Sequence, residues 1–141
     1  MLKLWSAILM VSPMLVGCQE PTADFQTVIG TIDAGATSLT VIQGPDSGSV
    51  GEPLEFTVST FGNSCISARG ADVVVNGLQA TVTPYDREYR GSRVCLDYLK
   101  AYPRTVTVVF TSSGNATIRV QGRSFYRSGL VTVDHAVTIV P

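Results

Sequence analysis

The chain has 141 residues, 45% of them hydrophobic, with 10 Lys and Arg against 11 Asp and Glu for a formal charge of −1. That length holds one ordinary domain, and the charge balance excludes bulk electrostatic attraction to nucleic acid as a basis for function. One His and three Cys bound the available side-chain chemistry.

The start, MLKLWSAILMVSPMLVGC, places Lys3 before an apolar stretch from Leu4 to Val16 that is broken by Ser12 and Pro13, and ends on Gly17 and Cys18. This is the layout of an export signal, with an apolar part too short to span a bilayer as a stable helix. Leu15-Val16-Gly17-Cys18 resembles the bacterial lipobox. The resemblance implies that residues 1–17 are removed as a signal peptide and that the Cys18 thiol is diacylated, so that two chains anchor the protein stably to a membrane. In that family an Asp directly after the Cys holds the product in the inner membrane; here the residue is Gln19. The expected location is therefore the extracytoplasmic face of the cell envelope, on the outer membrane where the host has one. An ordinary secretory leader ending near a Cys is the alternative. Loss of Lys3 with the leader leaves nine bases against eleven acids, a charge of −2, and eight of those nine bases are Arg.

Residues 18–36 read as the acylated Cys and a flexible tether, because QEPTADFQTVIGTIDAGAT mixes Pro, Gly, Ala and Thr. Such a segment spans about 25 Å root-mean-square. Within it VIGTI has the composition of an additional edge strand.

From residue 37 to 141, strand signals alternate with turn residues, the rhythm of an all-β sandwich or barrel. TSLTVIQ (37–43) is the first. LEFTVST follows the turn-rich GPDSGSVGEP, and its alternation sets Leu54, Phe56 and Val58 inward. In ADVVVNGLQATVT, Asn76-Gly77 suits a two-residue type I′ hairpin that pairs Val75 with Leu78 and puts Val73, Val75, Leu78, Ala80 and Val82 on one face. RTVTVVF buries Val106, Val108 and Phe110. ATIRVQG buries Ala116, Ile118 and Val120 and exposes Arg119. LVTVDHAVTIV carries Val131, Val133, Val137 and Ile139 on one parity, and His135 shares it. These seven strands are labelled A, B, C, C′, E, F and G in chain order. Their number, with GEPLEFTV early and GNATIRVQG late, resembles the bacterial immunoglobulin-like and fibronectin type III-like domains, which implies an antiparallel two-sheet sandwich. The inter-sheet disulfide and packed Trp of antibody domains do not carry over, since neither remaining Cys is mid-strand and Trp5 is in the leader.

With Cys18 given to lipid, Cys65 and Cys95 remain, and in an oxidising compartment the expectation is a disulfide between them. Two thiols and one His do not complete a structural zinc site by themselves.

Antiparallel succession brings every second connection to the same end. The loops at 61–71, 85–103 and 121–129 then share a pole, which gathers Arg69 from the first, Tyr85, Arg87, Tyr89, Arg90 and Arg93 from the second, and Arg123, Phe125, Tyr126 and Arg127 from the third. Arg and Tyr dominate binding hot spots because they join large contact area to directional hydrogen bonds. This pole is the candidate binding surface. The competing reading is that Asp86, Glu88 and Asp97 neutralise these Arg in solvated ion pairs of little energetic worth.

His135 sits within a strand, where a Ser-His-Asp or Cys-His device is not expected, and HExxH, GxxxxGK[ST] and GxGxxG are absent. No catalytic residue, metal or cofactor is expected. The sequence points to a lipid-anchored envelope protein with one binding domain. Its partner is an envelope protein, a glycan or anionic lipid. A passive spacer module is the second reading and a hydrolase the third.

Overall fold

The computed structural model describes residues 24–35 and 38–141, so the leader and the Cys18 acylation point lie outside the described residues. Among those described there is no helix. Ten strands follow one another: β1 (Phe25–Ile29), β2 (Thr31–Asp33), β3 (Ile42–Gln43), β4 (Ser47–Ser49), β5 (Leu54–Gly62), β6 (Ile66–Asn76), β7 (Gln79–Tyr89), β8 (Lys100–Val108), β9 (Gly114–Ser124) and β10 (Leu130–Val140). Seven of them form one sheet, and β3, β5 and β8 form the other.

The core follows the alternation read from the sequence. Leu54, Phe56, Val58, Val106, Val108 and Phe110 meet Ala80, Val82, Ala116, Ile118, Val120, Val137 and Ile139 in one buried cluster drawn from both sheets. Burying a side chain of this size removes roughly 1.5–3 kcal/mol of unfavourable hydration each, which is why a period of two suffices to set the faces. His135, in phase with Val137, is half-buried, with its ring edge-on to Phe56 and its Nε2 3.2 Å from Asp46 Oδ1.

The hairpin between β6 and β7 differs from expectation in its turn. Asn76 pairs with Gln79 and Val75 with Ala80, so the two turn residues are Gly77 and Leu78. Gly77 has φ +61° and no other type of residue in the described chain has positive φ. A turn with φ above zero at its first central position alone is type II′, not I′. The pairing is offset by two residues from the expected one, an even number, so Val73, Val75, Ala80 and Val82 still share the anticipated face.

The larger sheet is mixed rather than antiparallel. β7 runs parallel to β9 through Gln79–Val82 and Thr117–Val120, and β4 runs parallel to β10. Above Val82 and Val120 the strands β7 and β9 part, and the amino-terminal segment fills the fork. β1 lies antiparallel to β7, Phe25 beside Tyr89 and Ile29 beside Tyr85, while β2 lies parallel to the end of β9. Residues 25–33 are thus part of the sheet rather than a tether, β1 paired along β7 and β2 along β9. At the corner Gly30 donates to Pro84 O at 2.8 Å and accepts from Arg123 N at 2.9 Å, joining both arms. A Cβ there would stand 2.2 Å from Thr60 Cγ2, so the corner requires glycine for space.

TSLTVIQ yields only the two-residue β3, and β4 then switches to the larger sheet. Its backbone is not idle, because Val41 O still accepts from Ser59 N at 2.8 Å.

Candidate functional site at the loop end

β7 enters the fork with the parity it had in the core. Ala80, Val82, Pro84 and Asp86 all point inward, and Asp86 is 1% exposed. A buried carboxylate needs a cation and hydrogen bonds. Arg104 of β8, in phase with Val106 and Val108, supplies them: its Nη2 is 2.7 Å from Asp86 Oδ1, and Thr60 Oγ1 of β5 donates to the same oxygen at 2.9 Å. The Arg104 guanidinium also donates to Thr60 Oγ1, to Tyr85 O, to Tyr102 O at 3.0 Å and to Gly70 O at 3.1 Å. One side chain of the smaller sheet therefore clamps β6 and β7 of the larger one. Gly70 O is available because β6 bulges there: Ala68 faces Asp86 and Gly70 faces Tyr85, leaving Arg69 as the extra residue.

The three connections do meet at one end, but they are shorter than expected: 63–65, 90–99 and 125–129. Arg69, Tyr85, Arg87, Tyr89 and Arg123 are strand residues, not loop residues. They fall in two groups with the others, not one.

The first group is the outer face of the larger sheet. The odd residues of β7 face outward beside β1, where Phe25 packs edge-on to Tyr89 with ring centroids 5.3 Å apart. The Arg87 guanidinium lies 4.6 Å from the Phe25 ring and that of Arg93 lies 4.3 Å from the Tyr89 ring. Such stacking holds a guanidinium in place while its charge stays in water. Arg69 donates to Thr27 Oγ1, and Tyr85 is held by Asp72, whose hydrogen bond raises the phenol above its ordinary range. Among the described residues no carboxylate is in ion-pair distance of Arg69, Arg87 or Arg93.

The second group surrounds the β9–β10 turn. Asp33 organises it: Ser124 Oγ donates to Asp33 Oδ2 at 2.8 Å, Gly35 N to Oδ1 at 3.1 Å, and the Arg127 guanidinium stands 3.8 Å away. The Ser124 bond first, and then the Gly35 bond, hold this carboxyl below the usual range. Tyr126 OH donates to Ala34 O at 3.0 Å. Between this turn and the 63–65 connection runs a cleft of about 240 Å³, with Thr31, Phe61, Asn63, Asp86, Arg123 and Phe125 on its walls. Arg123 Nε is buried there without a hydrogen-bond partner.

The expected neutralisation of the pole is met only in part. Glu88 pairs with Arg90 at 3.1 Å on the surface, but Asp86 is spent on Arg104 inside.

Cys65 and Cys95 lie side by side with Cα atoms 5.4 Å apart and their sulfurs bonded. The bridge, Leu96 N to Ser64 Oγ at 2.7 Å and Arg90 N to Asp24 O at 2.6 Å pin the backbone of the 90–99 connection. Its side chains nevertheless stand out: Val94 is 88% exposed and Leu96 62%, with Tyr98 and Leu99 beside them, and Tyr126 of the neighbouring turn is 70% exposed. Sequence reasoning named Tyr126 but missed Val94, Leu96, Tyr98 and Leu99, as well as Phe25 and the Asp86–Arg104–Thr60 cluster. Extending each core parity, by two steps from Val82 through Pro84 to Asp86 and by one step from Val106 back to Arg104 and from Val58 to Thr60, would have found the cluster.

Comparison with protein-family models, with curated proteins and with solved structures returns no match to this chain.

Proposed function

We propose that this chain is a lipid-anchored protein of the cell envelope whose single immunoglobulin-like domain binds through its loop end rather than performing chemistry. One observation carries the reading: a covalently and hydrogen-bond-pinned backbone displays Val94, Leu96, Tyr98 and Tyr126 to solvent, beside cations that lack carboxylate partners. Exposed apolar side chains on a fixed frame bind without a large ordering cost. The acids nearest the cleft support binding over catalysis, since Asp86 is committed to Arg104 and Glu88 to Arg90.

The immunoglobulin-like reading rests on strand order. In chain order, β3, β5 and β8 take the places of A, B and E on one sheet, and β9 and β10 those of F and G on the other. The domain departs from that plan where β7 lies parallel to β9. Envelope placement rests on the lipobox-like Leu15-Val16-Gly17-Cys18, and the outer membrane is favoured by Gln19.

Two measurements test the proposal. Mass spectrometry of protein from its host is expected to find the chain beginning at an acylated Cys18, and an intact leader refutes the anchor. Combined replacement of Arg87, Arg93 and Tyr126, all exposed, is expected to release the domain from isolated envelope fractions once the lipid is removed. Unchanged retention of a folded triple variant refutes the loop end as the contact.

A further inference from the structure

The anchor and the exposed loop are neighbours. Asp24 O accepts from Arg90 N, so the chain enters the domain at the base of the 90–99 connection. From Cys18 to Asp24 there are six residue steps. A fully extended chain covers at most about 3.5 Å per step, so residue 18 is within about 21 Å of Asp24, whose carbonyl accepts from Arg90 N. β7 alone, with 11 residues, is about 35 Å long, and the β6–β7 turn lies at its far end. The loop end is therefore the part of the domain tethered next to the bilayer.

The connection is composed for such a neighbour. Residues 90–100 carry Arg90, Arg93 and Lys100 against Asp97 alone, and between those cations stand Val94, Leu96, Tyr98 and Leu99. Exposed apolar side chains flanked by cations partition into the headgroup layer, the apolar atoms entering the acyl boundary while the cations meet phosphates. The disulfide and the Ser64–Leu96 bonds fix the backbone beforehand.

We infer that the 90–99 connection, with Lys100 at the start of β8, inserts into the anionic surface of the membrane that holds the anchor, with Val94 at the tip and Arg93 on lipid phosphates. The inference rests on the proposed acylation of Cys18 and names the partner of the loop end. A protein partner at the same residues is the competing outcome.

The only Trp of the chain, Trp5, is in the segment read as the leader, so a processed V94W variant has a single indole. A V74W variant provides the reference, because Val74 is also well exposed, at 64%, but sits beside the β6–β7 turn. Each variant is purified as the full acylated protein, its Cys18 modification is read by mass, and it is reconstituted into phosphatidylglycerol vesicles with brominated acyl chains. The V94W variant is expected to lose most of its emission and V74W little. Replacing Arg93 and Lys100 with Gln in the V94W background is expected to restore emission, as is high salt. Equal quenching at the two positions, or none at either, overturns the inference, as does unquenched V94W emission in a protein whose loop cross-links to one partner. An unmodified Cys18 sinks the anchor itself, whereas an acylated chain with unquenched V94W emission sinks only the insertion.

Discussion

The two halves of β7 solve the same problem differently. From Gln79 to Val82 the strand lies between β6 and β9, its inward residues Ala80 and Val82 are fully buried, and the apolar contacts they make need no particular partner. From Tyr85 to Tyr89 the neighbour on that side is β1, and the inward residue is Asp86, which is tolerated only because β5 and β8 supply Thr60 and Arg104. The lower half is held by area and the upper half by a specific constellation. The loop end that displays exposed apolar residues is built on the second kind of support.

Removing Arg104 should separate the halves most sharply. Arg104→Ala leaves the Asp86 carboxylate buried without its cation, a loss of about 3–5 kcal/mol. Val82→Ala in the lower half removes two methyl groups, about 2 kcal/mol on the scale of core truncations. Denaturant unfolding of both variants reads the difference, and replacing Asp86 and Arg104 together with Leu and Met should recover most of the first loss. If Arg104→Ala costs no more than Val82→Ala, the clamp contributes little and the contrast fails.

Next in size is the disulfide, which belongs wholly to the upper half. The bridge closes a separation of 30 residues, for which chain entropy gives about 3–4 kcal/mol. The Cys65→Ser, Cys95→Ser double variant should lower the unfolding midpoint accordingly. It should also increase amide exchange at 90–99 while leaving Thr117–Val120 protected at low denaturant. Uniform loss of protection would show that the two halves open as one unit.

The lower half was legible in the sequence and the upper half largely was not, for a physical reason. Alternation reports burial only while the buried residues are apolar, so Leu54, Val82, Ile118 and Val137 declared their faces. Asp86, Arg104 and Thr60 continue the same alternation with polar groups and therefore read as the beginning of loops. That misreading extended the connections to 61–71 and 85–103 and placed Arg69, Tyr85 and Arg87 on a tip instead of on a sheet face. The fork was illegible for a different reason: residues 25–33 are short, interrupted by Gly30, and take their register from two strands about 50 or more residues away. The shared end of the three connections was legible because it depends on chain direction alone.

Gly30 offers a smaller, more local test. Gly30→Ala forces its methyl against Thr60 Cγ2, an overpacking cost of about 1–3 kcal/mol. Thr60→Ser removes that methyl and keeps the hydroxyl that donates to Asp86, so the double variant should regain part of the loss in a thermal melt. No recovery would mean that the corner fails through the backbone, not through contact with Thr60.

The smallest expected effect concerns acid, and again it should be confined to the upper half. The Asp33 carboxyl is held below its ordinary range by Ser124 and then Gly35, with Arg127 assisting after a small opposing cost of burial. A carboxyl lowered on folding stabilises the structure above its unfolded value, about 3.9, and that contribution is lost as pH falls through the lower folded value. As pH falls below about 3.9 and through the lower folded value, the amide signals of Gly35, Phe125 and Tyr126 should shift together in an NMR titration, while those of Thr117–Val120 hold. Asp33→Asn should abolish the shared transition. A midpoint at or above the ordinary Asp value would mean that Ser124 and Gly35 do not hold the carboxylate, and that the β9–β10 turn is kept in place by its other bonds, Tyr126 OH to Ala34 O and Phe125 N to Asp33 O.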